Sequence, residues 1–156
     1  MLLARALLAV AILPGLFAGL LPWVIAANDP RRGEGIDLGA LVVGTGIGIL
    51  ILTVRDFLVI GHGTLAPWDP PRRLVAVGLY RYVRNPMYVG ALLMMLGAAA
   101  CTGSALVAAY AAAVAIIVHL RVVLYEERVL ARQFPEDWAA YSAKVSRWLP
   151  RVPARD

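Results

Sequence analysis

The chain has 156 residues, 61% of them hydrophobic, and a formal net charge of +5; its mean hydropathy is +0.74. An ordinary soluble domain is roughly 45–50% apolar, so the excess marks an all-α integral membrane protein in a single domain, residues 1–156. The basic residues flank apolar segments without forming a stripe beside a DNA-reading motif, so they carry no nucleic-acid signal, and the lone Cys101 excludes an intramolecular disulfide or a cysteine-clustered metal site.

Leu2 to Ala27 is apolar except for Arg5, Pro14 and Pro22. It is too long for a cleaved signal segment and lacks a convincing cleavage site, so it reads as a first transmembrane helix with Pro14 as the place for a kink. Asn28 to Asp37, with Pro30, Gly33 and Gly35, is a polar connector. Leu38 to Ile60 is the second helix and closes the N-terminal part, 1–60. Its run Gly44-Thr45-Gly46-Ile47-Gly48 lies within an apolar helix and lacks the strand–turn–helix context of a nucleotide loop. Gly44 and Gly48 are spaced instead as a small-residue packing face. Arg55 and Asp56 fall at the interface or pair inward.

Residues 61–151 form the catalytic-like region. Gly61 to Pro71, with His62 and Trp68, is an ordered loop whose glycines and prolines set the backbone and whose tryptophan suits the headgroup level. Arg72-Arg73-Leu74-Val75 leads into Gly78-Leu79-Tyr80-Arg81-Tyr82-Val83-Arg84-Asn85-Pro86-Met87-Tyr88-Val89-Gly90. Two arginines and three tyrosines in thirteen positions, between apolar segments, require a reason, because ionisable groups at a membrane are costly and usually functional. The plain reading is a basic interface turn resting on phosphates. Pro86 suits a helix start, so Met87 to Ala100 is a short third helix, tilted or beginning below the membrane surface.

Cys101 to Ser104 is a tight turn, and Ala105 to Tyr125 is the fourth helix. Nothing stops it after the apolar part, so it runs on as one rod towards Arg132. At 3.6 residues per turn, His119, Val122, Glu126 and Val129 share one face; Arg121, Tyr125, Arg128 and Arg132 share another. After Phe134-Pro135, Glu136 to Trp148 carries Trp138, Tyr141, Val145 and Trp148 at helical spacing together with Lys144 and Arg147. That is the pattern of an in-plane amphipathic helix, its aromatic stripe anchoring it in the membrane.

With four spans, Arg5, Arg72, Arg73, Arg81, Arg84 and the basic tail fall on one side. The other side has only Arg31 and Arg32, diluted by Asp29, Glu34 and Asp37. The positive-inside rule makes the basic side cytoplasmic, as in a bacterial inner membrane. The Tyr80–Tyr88 stretch and the Glu126–Glu127 pair then share the cytosolic face, where a soluble, charged cofactor is found.

Gly-x-Tyr-x-x-x-Arg-x-Pro-x-Tyr-x-Gly at Gly78–Gly90, an apolar hairpin, Glu-Glu-x-x-Leu-x-x-x-Phe at Glu126–Phe134 and the tail Arg147-Trp148-Leu149-Pro150-Arg151 together resemble the isoprenylcysteine carboxyl methyltransferase family and its bacterial relatives, which are also similar to phospholipid methyltransferases. The match covers roughly residues 60–151; residues 1–58 match only as membrane helices. The resemblance implies a membrane-embedded methyltransferase that uses S-adenosylmethionine without a Rossmann domain and acts on a lipidic or small apolar acceptor. Family cofactor contacts fall on Arg72, Arg73, Leu74 and Val75, on Tyr80, on Asn85, Pro86, Met87 and Tyr88, and on Glu126, with His119 on the same face as Glu126. Arg84, and Arg121 as nearest match to the family's substrate arginine, are the catalytic candidates. The chain departs from the family pattern at Asn85 (usually His), Pro135 (usually Gly) and Trp138 (usually Tyr). Asn85 still donates and accepts hydrogen bonds.

The residue types suit methyl transfer from a sulfonium, where the protein must mainly hold two reactants together and exclude water. Glu126 is expected to carry cofactor binding. Glu127, about 100° round the helix, is expected to matter less, through surface pairing with arginines. Two other readings stay open: a membrane enzyme similar to steroid-reductase-like proteins, which have a comparable helical end domain and use NADPH, and a non-enzymatic membrane protein or assembly subunit.

Overall fold

A computed structural model describes residues 11–56, 59 and 74–151, the side chains of 11–13 excepted. Arg5, His62, Trp68, Arg72 and Arg73 lie outside the described residues.

The architecture is all-helical, with no strand among the described residues. Helix α1 comprises Ala11–Leu20 in the wide π winding and Leu21–Ala27 in regular winding. Pro14, which has no N–H to close a regular turn, sits inside the wide stretch. Helix α2 is Leu38–Asp56, followed after residues outside the description by a 3₁₀ turn at Gly78–Arg81. Helix α3, Pro86–Thr102, starts on proline and ends at Gly103, whose φ of 58° is left-handed. Ser104 caps the next helix by accepting from the Val107 amide at 3.3 Å. That helix, α4, runs unbroken over Ala105–Gln133, through a π turn at Val122–Glu126. The chain breaks at Phe134 and resumes as α5, Pro135–Lys144.

Of the four apolar helices, α2 and α4 are long and apolar enough to cross a membrane; Pro14–Ala27 and Pro86–Thr102 are shorter. The third helix gains residues at both ends over the expected 87–100 span. The amphipathic tail helix is shorter than expected, because residues 145–151 leave the helix and extend.

The glycine packing face is not the expected one. Gly44 and Gly48 have open space where a Cβ would stand. The close approach is made by Gly39 and Gly46 of α2 against Gly97 and Gly90 of α3, each pair seven residues apart. A Cβ on Gly46 would lie 2.5 Å from the Gly90 carbonyl oxygen, and one on Gly90 would lie 2.9 Å from that of Gly46. Backbone meets backbone, so glycine alone fits both positions. Ala18 of α1, Met95 of α3 and Ala111 of α4 form the buried cluster that joins the remaining helices, and the Tyr110 hydroxyl donates to the Phe17 carbonyl at 2.9 Å.

Both ends of the bundle are tied. At one end, the buried Ser104 hydroxyl donates to Asp29 Oδ2 at 2.5 Å and holds that carboxyl below its usual range. Gly33 and Ile36 donate to the carbonyls of Gly103 and Ala100 at 3.1 and 2.9 Å. At the other end, Asp56 is buried and accepts from Arg55 at 3.0 Å. Its carboxylate lies where any Cβ on Gly78 would stand, and the φ of 55° at that residue further demands glycine. The signature turn thus sits on the end of α2.

Candidate functional site

The signature segment is laced to the tail along its length. Val83 and Ser146 form a parallel β-bridge, with the Arg84 amide donating to the Ser146 carbonyl at 2.8 Å. The Arg151 amide donates to the Tyr82 carbonyl at 2.9 Å, and Asn85 Nδ2 donates to the Arg147 carbonyl at 3.1 Å. Asn85, where the resembling family has histidine, therefore fastens the tail, and it also precedes Pro86 at the start of α3.

Beneath this seam lie two neighbouring carboxylates with separate partners. Tyr88 Oη donates to Glu126 Oε1 at 2.6 Å, and Arg121 Nε donates to the same oxygen at 2.7 Å. Glu127 Oε1 takes Arg147 Nε at 2.7 Å and Arg84 Nη1 at 3.2 Å, and its Oε2 takes Arg147 Nη2 at 2.9 Å. Among the described residues Glu126 Oε2 has no hydrogen bond. The Glu126 side chain is 25% exposed and that of Glu127 17%, so Glu127 is the more enclosed of the two and its pairing with arginine is not a surface feature.

The π turn explains this partition. In regular winding His119 and Glu126, seven residues apart, point within about 20° of each other, while Arg121 and Glu126 diverge by about 140°. A π turn spends one extra residue on the same rotation and stacks residue i over i+5. Everything beyond Val122–Glu126 falls back by one position. Arg121 and Glu126 meet, and Glu127 takes the direction regular winding would give Glu126. The adjacent tail residues Arg147 and Trp148 then reach Glu127 and His119, with Trp148 Nε1 donating to His119 Nδ1 at 3.1 Å.

The aromatic stripe of the tail also turns inward. The Arg84 guanidinium lies 5.5 Å from the centre of the Trp138 ring, which packs against Tyr141 at 6.0 Å. The Tyr141 hydroxyl donates to the Tyr80 carbonyl at 2.8 Å. Burial pushes the phenols of both Tyr80 and Tyr141 upward, so each stays neutral. Membrane anchoring alone does not account for these contacts.

Of the residues singled out in the sequence, Tyr88, Arg121 and Glu126 come together, Asn85 and Pro86 start α3 beside them, and Arg84 stands one carboxylate away. Tyr80 and Val75 are buried, with Leu74 and Met87 half-buried around the turn. His119 faces the tail and, with Val89, Leu92, Leu96, Ala115 and Trp148, lines an open apolar groove of about 340 Å³ between α3 and α4. Sequence reasoning missed the roles of Glu127, Arg147, Trp138 and Trp148. The available signal was the concentration of arginine and tryptophan in a tail that follows two adjacent carboxylates.

Comparison with known proteins places this arrangement in context. A family described as phospholipid methyltransferase matches residues 36–137, more than half of the chain. The cobalt-zinc-cadmium resistance protein CzcN of Cupriavidus metallidurans is 38% identical over 79 residues, covering 51% of this chain and 36% of that protein. The chain thus spans about a third of the length of that relative. No solved structure matches.

Proposed function

This chain belongs to the phospholipid methyltransferase family, a family of membrane methyltransferases, and from that premise we propose that it transfers a methyl group from S-adenosylmethionine to a lipidic or small apolar acceptor. The observation that carries the reading is the convergence of Tyr88 and Arg121 on one oxygen of Glu126, 2.6 and 2.7 Å away. Two motifs far apart in sequence meet there, at the end of apolar helices.

The donor set fits the methyl donor. One oxygen of Glu126 is fixed by two protein donors while the other has no hydrogen bond among the described residues. That free edge suits ribose hydroxyls or an ammonium group. Bound S-adenosylmethionine supplies a methyl already activated on a sulfonium sulfur. The chain's own work is to bind, orient and exclude water. Glu126 and Tyr88 hold the donor, Arg121 directs the Glu126 carboxylate, and Arg84 lines the same turn. Tyr80, Asn85, Pro86 and Met87 shape the backbone around them, with Leu74 and Val75 leading in. The apolar groove beside His119 supports an acceptor with an apolar body whose carboxylate, amine or thiol reaches the cluster. The cytoplasmic face of a bacterial inner membrane is the placement favoured by the charge distribution.

The test is incubation of the purified protein with labelled S-adenosylmethionine and fractionated membrane lipids. Label appearing in one lipid fraction is the expected result. Absence of both methyl transfer and S-adenosylhomocysteine binding would refute the reading, and NADPH binding in their place would favour a reductase.

A further inference from the structure

Glu126 and Glu127 are neighbours in sequence with opposite occupancy. Glu126 keeps one oxygen free of hydrogen bonds among the described residues, whereas both oxygens of Glu127 are taken by arginine. A carboxylate with no free edge is poorly placed to receive a ligand. What it does hold is two parts of the chain: Arg84 of the signature turn and Arg147 of the tail.

We propose that Glu127 is the positioning residue of this site, clamping the tail across the signature turn so that residues 145–151 form a wall of the donor-binding site. The proposal rests on the methyltransferase reading above and assigns Glu127 no contact with substrate.

Three observations support it. Arg147 meets Glu127 in fork geometry at 2.7 and 2.9 Å, the arrangement that fixes direction as well as distance. The backbone bonds from Arg84 and Asn85 to Ser146 and Arg147 surround that fork, so releasing the ion pair loosens the whole seam. Arg84 is 13% exposed, and its Nε is buried without a hydrogen-bond partner among the described residues. Glu127 is the anion that balances this guanidinium, and a cation left enclosed without it is strongly disfavoured.

The clamp depends on the π turn. Only the extra residue in Val122–Glu126 turns Glu127 towards the tail and leaves Glu126 for Tyr88 and Arg121.

The experiment uses the full chain in detergent, wild type and Glu127→Gln, which keeps shape and removes charge. Trypsin sites at Arg147 and Arg151 report the tail, and the exposed Arg31 and Arg32 in the opposite connector serve as the internal control. Glu127→Gln is expected to speed tail cleavage by about tenfold or more with connector cleavage unchanged, and to weaken S-adenosylhomocysteine binding by about tenfold. Weakened binding with the tail still protected would place Glu127 on the ligand itself and overturn the clamp. Wild-type behaviour in both readouts would overturn it too. If Glu127→Gln does not fold, Arg147→Gln, which opens the same clamp from the tail side and leaves the Arg84–Glu127 pair intact, decides by S-adenosylhomocysteine binding and by tail cleavage at Arg151, the trypsin site it retains, compared with the wild-type rate at that site. Tail cleavage is read without ligand, so a wild type that binds no S-adenosylhomocysteine would refute the methyltransferase reading and leave the clamp to be judged on cleavage alone.

Discussion

At the scale of single residues, Glu126 is the position where loss of charge should cost most in donor binding. Glutamine keeps the shape, but the Tyr88 and Arg121 donors then face a neutral oxygen. A charge-assisted hydrogen bond contributes ~1.5–3 kcal/mol, so calorimetry on Glu126→Gln should show S-adenosylhomocysteine binding weaker by roughly ten- to a hundredfold. Arg84 offers a second test. Lysine keeps the charge but lacks the planar fork with which Arg84 both reaches Glu127 and covers the Trp138 ring. Arg84→Lys is expected to lose at least about tenfold in the same measurement. Unchanged affinity would return Arg84 to a role on membrane phosphates.

Elements show where the sequence was readable and where it was not. Pro86 opening α3, Gly103 and Ser104 closing one helix and capping the next, and the unbroken run of α4 follow from local chemistry that single residues carry. The π turn at Val122–Glu126 does not, because Val-Val-Leu-Tyr-Glu contains neither proline nor glycine and suits regular winding equally well. The wide turn coincides with a local contact, Arg121 on Glu126, and with tertiary ones, Tyr88 on Glu126 and the tail on Glu127. The face assignment of both carboxylates was therefore out of reach of a helical wheel, although the two motifs themselves were visible. The glycines give a parallel case. Gly44, Gly46 and Gly48 look alike in sequence, and only the position of α3 selects Gly46. Gly46→Ala would force a methyl against the Gly90 carbonyl, an overpacking cost of about 1–3 kcal/mol. In a thermal unfolding series it should lower the midpoint by roughly 3–10 °C, with Gly44→Ala and Gly48→Ala close to wild type.

For the whole molecule, the two ends are chemically distinct. One carries the connector at 28–37 and the turn at 103–104; the other gathers the signature turn, the carboxylates and the tail. The sidedness proposed from charge is checked by accessibility labelling in a Cys101→Ser background, with single cysteines at Gly33 and at Ala154. The two positions should label from opposite sides, with Ala154 on the cytoplasmic one. Labelling of both from the same side would require a different number of spans.

The mismatch between α3 and its neighbours has a consequence for the lipid itself. Seventeen residues of helix span ~25 Å, against a hydrocarbon core of roughly 30 Å, whereas α4 continues through 29 residues. If α3 crosses the membrane, tilting would only shorten its reach, so the mismatch would be met by local thinning of the bilayer or by flanking residues reaching outward. Thinning would draw headgroups inward to the level of Tyr88 and Glu126, where a lipidic acceptor of the proposed reaction would present its polar end without leaving the membrane. Acyl-chain length thus becomes a control variable. In vesicles of graded thickness, turnover should be highest in the thinner bilayers and decline as the chains lengthen, while S-adenosylhomocysteine affinity stays constant.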